Sequence, residues 1–120
     1  MLYTKSIQAQ KESTDGMRIS IMRKPRGDYD ILIPALAPSE LLLNSYHENK
    51  IDWNEYEREY LLEMHNNPDV KKILRFIINA ASFTDITLLC WEETPKKCHR
   101  RLILELIDLM HENQIKICMR

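Results

Sequence analysis

Apolar and polar residues alternate along Met17–Met22, with Met17, Ile19 and Ile21 set against Arg18 and Ser20. That is the period of a half-buried strand. Leu2–Ile7 reads as a strand before it, and Gln8–Gly16 as a polar loop with no apolar anchor except Ala9. Arg23-Lys24-Pro25-Arg26-Gly27 breaks the second strand, because Pro and Gly cannot continue a ladder. Tyr29–Leu36 is apolar and extended but holds Pro34, which makes it an edge strand or an ordered loop. The pattern then changes period. Ser39–His47 predicts a short helix. Asp52–Asn66 predicts a second, opened by Asp52 and Glu55 in capping-box spacing and striped by Trp53, Tyr56, Tyr60 and Met64. Pro68–Ser82 predicts a third, with Val70, Ile73, Leu74, Ile77, Ile78 and Ala81 on one face, Asn67 as its cap and Pro68 in its first position. Ile86–Cys90 is a short apolar strand. Pro95–Glu112 predicts a last helix, capped by Thr94 and apolar around most of its circumference, and Ile115–Met119 a final strand.

The strand–helix–strand unit at the end of the chain sets the class. It predicts an α/β fold: a three-layer, Rossmann-like domain with a small, mostly parallel sheet flanked by helices. At 120 residues, 1–120 is read as a single domain, long enough for a real core and too short for two. No internal repeat or low-complexity segment interrupts it.

Composition narrows the function classes. Hydrophobic residues make up 44% and charged residues 29%, the balance of an ordinary soluble domain. The net charge of −1 gives no support to nucleic acid as a partner, so a preference for anions has to come from local clustering. No apolar run approaches the roughly 18 residues that span a bilayer, and Met1–Gln10 lacks the apolar stretch of a signal peptide. No membrane association is expected, and the expected compartment is the cytoplasm, where thiols stay reduced. Three cysteines without framework spacing argue against structural disulfides. With two glycines, Gly16 and Gly27, the chain has neither a dinucleotide fingerprint nor a phosphate loop of the P-loop kind, and no cofactor is expected.

Candidate chemistry concentrates where the Ile86–Cys90 strand delivers a thiol into a polar loop. The following helix opens with Lys96, Lys97, Cys98, His99, Arg100 and Arg101. Ligands in parallel α/β sheets sit at the carboxyl ends of strands, and the Arg23–Arg26 loop joins this one there if the two strands run parallel. Arg23, Arg26, Cys90, Lys97, Arg100 and Arg101 are the expected ligand-binding residues, and the helix amino terminus adds its own positive end. Together they favour a small anionic or phosphate-bearing ligand. Cys98, beside Lys97, His99 and Arg100, is the expected reactive thiolate, as nucleophile or redox thiol, with His99 or Arg100 assisting and Cys90 resolving or pairing with it. The competing reading, at about even odds, is that both cysteines are small buried hydrophobes. In a third, the cluster only knits strand to helix, with Arg100 bonding strand-end carbonyls or a buried carboxylate such as Asp30. No metal is assigned: Cys90, Cys98 and His99 with His47 or His65 would supply four ligands, but C-x7-C-H is not a zinc-finger or ribbon spacing. A phosphatase loop fails because Lys96 stands where C-x5-R needs arginine. The aromatic stripe is read as core by about four to one over a base-stacking surface. It and Tyr29–Leu36 are where a dimer contact would form if either were exposed.

These residues carry a resemblance. The run L-L-C-x7-C-H-R-R-L at Leu88–Leu102 is similar to the widespread prokaryotic family catalogued as domain of unknown function 488. Tyr3–Ile7, Ile33–Leu42 and the W-x-x-Y-x-x-x-Y helix at Trp53–Tyr60 support it, so that it spans most of the chain. The resemblance implies an α/β fold with a Cys-His-Arg cluster after a strand, and it names no reaction. Trp91, where a small residue is more usual, is a departure that narrows the pocket.

Overall fold

Five short strands build one sheet: β1 (Leu2–Ser6), β2 (Met17–Ser20), β3 (Ile31–Leu32), β4 (Ile86–Cys90) and β5 (Ile117–Met119). The computed structural model describes residues 1–92, 98–110 and 117–119. The strand order is β3-β2-β4-β1-β5, and every pair is parallel. Four helices follow the predicted periods: α1 (Glu40–His47), α2 (Trp53–Asn66), α3 (Pro68–Ala81) and α4 (His99–Met110). The expected α/β domain with a parallel sheet is what forms.

The helix starts obey local chemistry. Ser39 accepts from the Leu42 N–H, Asp52 from Glu55 and Asn67 from Asp69, each satisfying an amide the helix leaves unpaired. Pro68 occupies the first turn of α3, where no N–H is needed. The expected start of the last helix at Thr94 and Pro95 lies outside the described residues, as do Lys96, Lys97 and the first residues of the predicted final strand. The Tyr29–Leu36 segment resolves into both readings at once: a two-residue edge strand, β3, and a 3-10 turn at Pro34–Leu36.

Crossover handedness explains the layering. Passing from β3 to β4 and from β4 to β5 moves one way across the sheet, while β1 to β2 and β2 to β3 move the other way. Right-handed connections therefore put the α-helices on one face and the loops on the opposite face. The core agrees. Leu2, Ile19, Ile86 and Leu88 share a face by alternation and cluster with Tyr60, Leu74, Ile77, Ile78, Leu102, Ile103 and Ile107 of the helices. The other face carries Lys5, Arg18, Thr87 and Leu89, and its covering layer is the segment between β1 and β2, with a 3-10 turn at Ser13–Asp15, and the loop after β2. The layer flanking this face is thus a single 3-10 turn with loops, because neither leftward connection carries an α-helix.

That covering is polar inside. Asp15 is fully buried, 3.0 Å from the Lys5 ammonium and paired with the Arg18 guanidinium, and its carbonyl accepts from the Thr87 hydroxyl. Gly16 follows with φ of +64° and its backbone pressed against Asp85, a position where a Cβ would collide. Among the described residues no helix is long and apolar enough to cross a membrane.

Candidate functional site

The carboxyl end of β4 is held from both sides. Ile7 N–H donates to the Cys90 carbonyl at 2.8 Å and Ile21 N–H to the Leu89 carbonyl at 3.0 Å. One residue on, the Trp91 carbonyl accepts from the Ser6 hydroxyl and the Gln8 amide. Cys90 therefore leaves the sheet at a fixed point, beside the end of β2, as the parallel pairing requires.

His99, in the first turn of α4, reaches back to this point. Its Nε2 lies 2.8 Å from the Ile21 carbonyl and its Nδ1 lies 3.4 Å from Cys90 Sγ. A carbonyl only accepts, so Nε2 carries the proton and Nδ1 presents its lone pair to the sulfur. Burial drives the imidazole to about 4, with the Arg100 charge pushing the same way and the Ile21 carbonyl opposing both. At neutral pH the ring is uncharged. Cys98, immediately before α4, meets Cys90 sulfur to sulfur, the pairing of a disulfide, with Cα atoms 7.4 Å apart. The sequence left a pairing of Cys90 with Cys98 open while its cysteine count and spacing argued against a structural disulfide; neither says where a strand end and a helix start meet. Cys90, Cys98 and His99 are all buried.

Arg100 is also fully buried. Its guanidinium donates to the Glu92 carbonyl and so ties the loop after β4 to α4. Burial lowers its pKa, opposed by Glu92. Asp30, the buried carboxylate expected as its alternative partner, is exposed and accepts from the Arg18 backbone N–H instead.

A cavity of about 240 Å³ opens over the cluster. Cys90, Cys98 and His99 line it, together with Trp91, Glu92 and the Arg23, Lys24 and Arg26 loop. α1 and the start of α2 form the opposite wall through Tyr46, His47, Trp53 and Tyr56. The rings are in contact with one another: Tyr46 and Tyr56 at 4.8 Å between centroids, Trp53 and Tyr56 at 5.1 Å. Among the described residues three cationic side chains line the cavity, Arg23, Lys24 and Arg26, against two carboxylates, Glu40 and Glu92.

The predicted residues are thus largely gathered, with distinct tasks. Arg23 donates to the carbonyls of Pro38, Pro34 and Ala37 and braces the 3-10 turn. Arg26 lies over the Trp91 ring, 3.4 Å from its centroid. Arg101 pairs with Glu105 on α4 and with Glu57 across on α2, and is not among the described residues that line the cavity. Lys97 lies outside the described residues. The sequence reading missed the wall. Tyr60 and Met64 of the aromatic stripe are core, but Trp53 faces the cavity, and Tyr56 is both buried and cavity-lining. The available signal was topological: α1 follows β3 and so begins at the carboxyl edge.

A family model described as "Active DUF488-N3 subclade" matches residues 2–111. No curated protein and no solved structure matches the chain.

Proposed function

The chain belongs to the DUF488 family, and from that premise we propose that the cleft at the carboxyl ends of β2 and β4 binds a small phosphate-bearing ligand of the nucleotide class. One observation carries the reading. A cation-rich loop, an aromatic wall and a Cys-His floor border a single cavity at the strand ends where parallel α/β sheets hold ligands. Arg26 is the cation whose only described partner is the Trp91 ring, and it can turn its N–H groups to an anion while keeping that stack. Lys24 is exposed and pairs with Glu40 at 3.7 Å, a contact that a ligand phosphate readily replaces. Tyr46 and Trp53, packed on the buried Tyr56, give the cleft an aromatic wall against which a base can stack.

Thermal melting with inorganic phosphate and with nucleoside mono-, di- and triphosphates tests this. A nucleotide should raise the melting temperature, and Arg26→Ala should weaken its Kd about tenfold, the equivalent of about 1.4 kcal/mol. No stabilisation by any member of that series would end the reading.

A thiol-dependent reaction is the second reading. The 3.4 Å contact from His99 Nδ1 to Cys90 Sγ favours Cys90, rather than Cys98, as the thiol with a proton acceptor. It stands second because an imidazole pushed down to about 4 is a weak base for a thiol whose ordinary pKa is about 8.5. Alkylation of the reduced protein at pH 7, followed by mass spectrometry, should then label Cys90 ahead of Cys98. Equal, slow labelling of both would remove this reading.

A further inference from the structure

We propose that Cys90, Cys98 and His99, once the two thiols are reduced, form a three-ligand site for a divalent cation of the zinc class. The fourth coordination position would open into the cleft.

The geometry carries this. One ligand atom from each of the three residues falls within 4.8 Å of the others, and all three residues are buried. A tetrahedral zinc with arms of about 2.3 Å to sulfur and about 2.0 Å to nitrogen holds a sulfur and a nitrogen about 3.5 Å apart. Cys90 Sγ and His99 Nδ1 already stand 3.4 Å apart. The Cys90 and Cys98 sulfurs meet directly, so the strand end and the helix start present both thiols to one point beside the imidazole. The second observation is independent of the cluster. The Ile21 carbonyl accepts a hydrogen bond from His99 Nε2–H, which is the outer contact a ligating histidine characteristically makes, and this leaves Nδ1 as the ring nitrogen able to ligate.

Charge fits as well. Reducing the disulfide takes two electrons and two protons. A dithiol supplies both and becomes a disulfide, whereas a phosphine supplies the electrons and becomes its oxide, with water supplying the oxygen and the protons. Metal binding then expels the two thiol protons, and the dication with two thiolates is neutral, the form that burial costs least. The set of two thiolates and one imidazole with an open position is that of a reactive rather than a closed structural zinc site. Cys90, Cys98 and His99 all line the cleft, so the open position faces whatever the cleft holds. That last point deepens the phosphate-ligand reading and rests on it; the metal site itself does not.

Cobalt is the probe. Phosphine-reduced protein titrated with Co2+ alone should take up one ion per chain, with the absorption of tetrahedral cobalt and a thiolate-to-cobalt charge-transfer band. Cys118→Ser should keep both signals, since Cys118 lies on β5 opposite Tyr3, on the far side of β1 from β4. Cys90→Ser, Cys98→Ser and His99→Gln should each lose them. Zn2+ should raise the melting temperature of the wild-type protein, an arm that needs no variant. Reduced wild-type protein that takes up no Co2+ and gains no stability from Zn2+ overturns the site, as does a charge-transfer band that survives Cys90→Ser. None of these readouts involves a phosphate ligand, so failure of the nucleotide series leaves this result standing, and the reverse.

Discussion

Removing the Asp15 carboxylate strands two buried cations. Lys5 and Arg18 are nearly inaccessible and both converge on this one acid. Breaking a buried ion pair by deleting one partner typically costs about 3–5 kcal/mol, because the remaining charge stays desolvated. Asp15→Ala also deletes the acceptor for the Glu12 N–H. Lys5 keeps the Gln10 carbonyl and Arg18 keeps the Asp28 carbonyl, which holds the estimate within that range. For a domain of this size each kcal/mol shifts the midpoint by about 4 °C, so melting should fall by about 12–20 °C. Urea unfolding of the same variant gives the free energy directly. Replacing all three, as Lys5→Met with Asp15→Leu and Arg18→Met, should recover most of the loss, since an apolar triad has no charge left to desolvate. The acid also writes a pH signature. Burial raises its pKa, but the Glu12 amide, Lys5 and Arg18 together outweigh burial and hold it below the ordinary 3.8. Its contribution is therefore complete above pH 3.8 and is lost as pH falls beneath that value, through the lowered folded pKa. Asp15→Asn should lack this acid-limb loss. A cost below about 1 kcal/mol for Asp15→Ala, or an acid limb unchanged in Asp15→Asn, would refute the burial argument.

Other substitutions probe the frame of the site. Tyr60→Phe strands the buried Leu36 carbonyl, which its hydroxyl meets at 2.6 Å, and should cost about 1–3 kcal/mol by urea unfolding. Arg23→Ala frees three carbonyls around the 3-10 turn; amide hydrogen exchange should quicken at Leu36 and Ala37, whose N–H groups close that turn. Gly16→Ala puts a Cβ against the Asp85 backbone at positive φ and should lower stability by more than about 1 kcal/mol, measured the same way.

How far the sequence foretold this arrangement depends on what each residue does. β4 matches its predicted bounds because a continuous apolar run has one place to go, between two strands. The α3 face was equally plain, since Val70, Leu74, Ile77, Ile78 and Ala81 leave no choice of side. The segment after β1 was opaque. A buried Asp15 has the same letter as a solvated one, and only the fold brings Lys5 and Arg18 to it. The site was half visible. Cys90, Cys98, His99, Arg23 and Arg26 meet around one cavity because the two strands that deliver them are parallel neighbours. The Trp53–Tyr56 wall was hidden, because aromatic residues at helical spacing serve a core and a cleft equally well. The C-x7-C-H spacing also concealed a convergence that strand and helix ends create in space.

The cleft supplies its own reporter. The chain has two tryptophans, Trp53 and Trp91, and both line the cavity, on opposite walls. Nuclear magnetic resonance spectra of the two indole N–H groups during a nucleotide titration therefore read occupancy at the proposed site. Both resonances should move together with one saturating Kd, and that Kd should weaken about tenfold in Arg26→Ala. Two indole signals that stay fixed while other amides shift would place the ligand elsewhere and contradict the account.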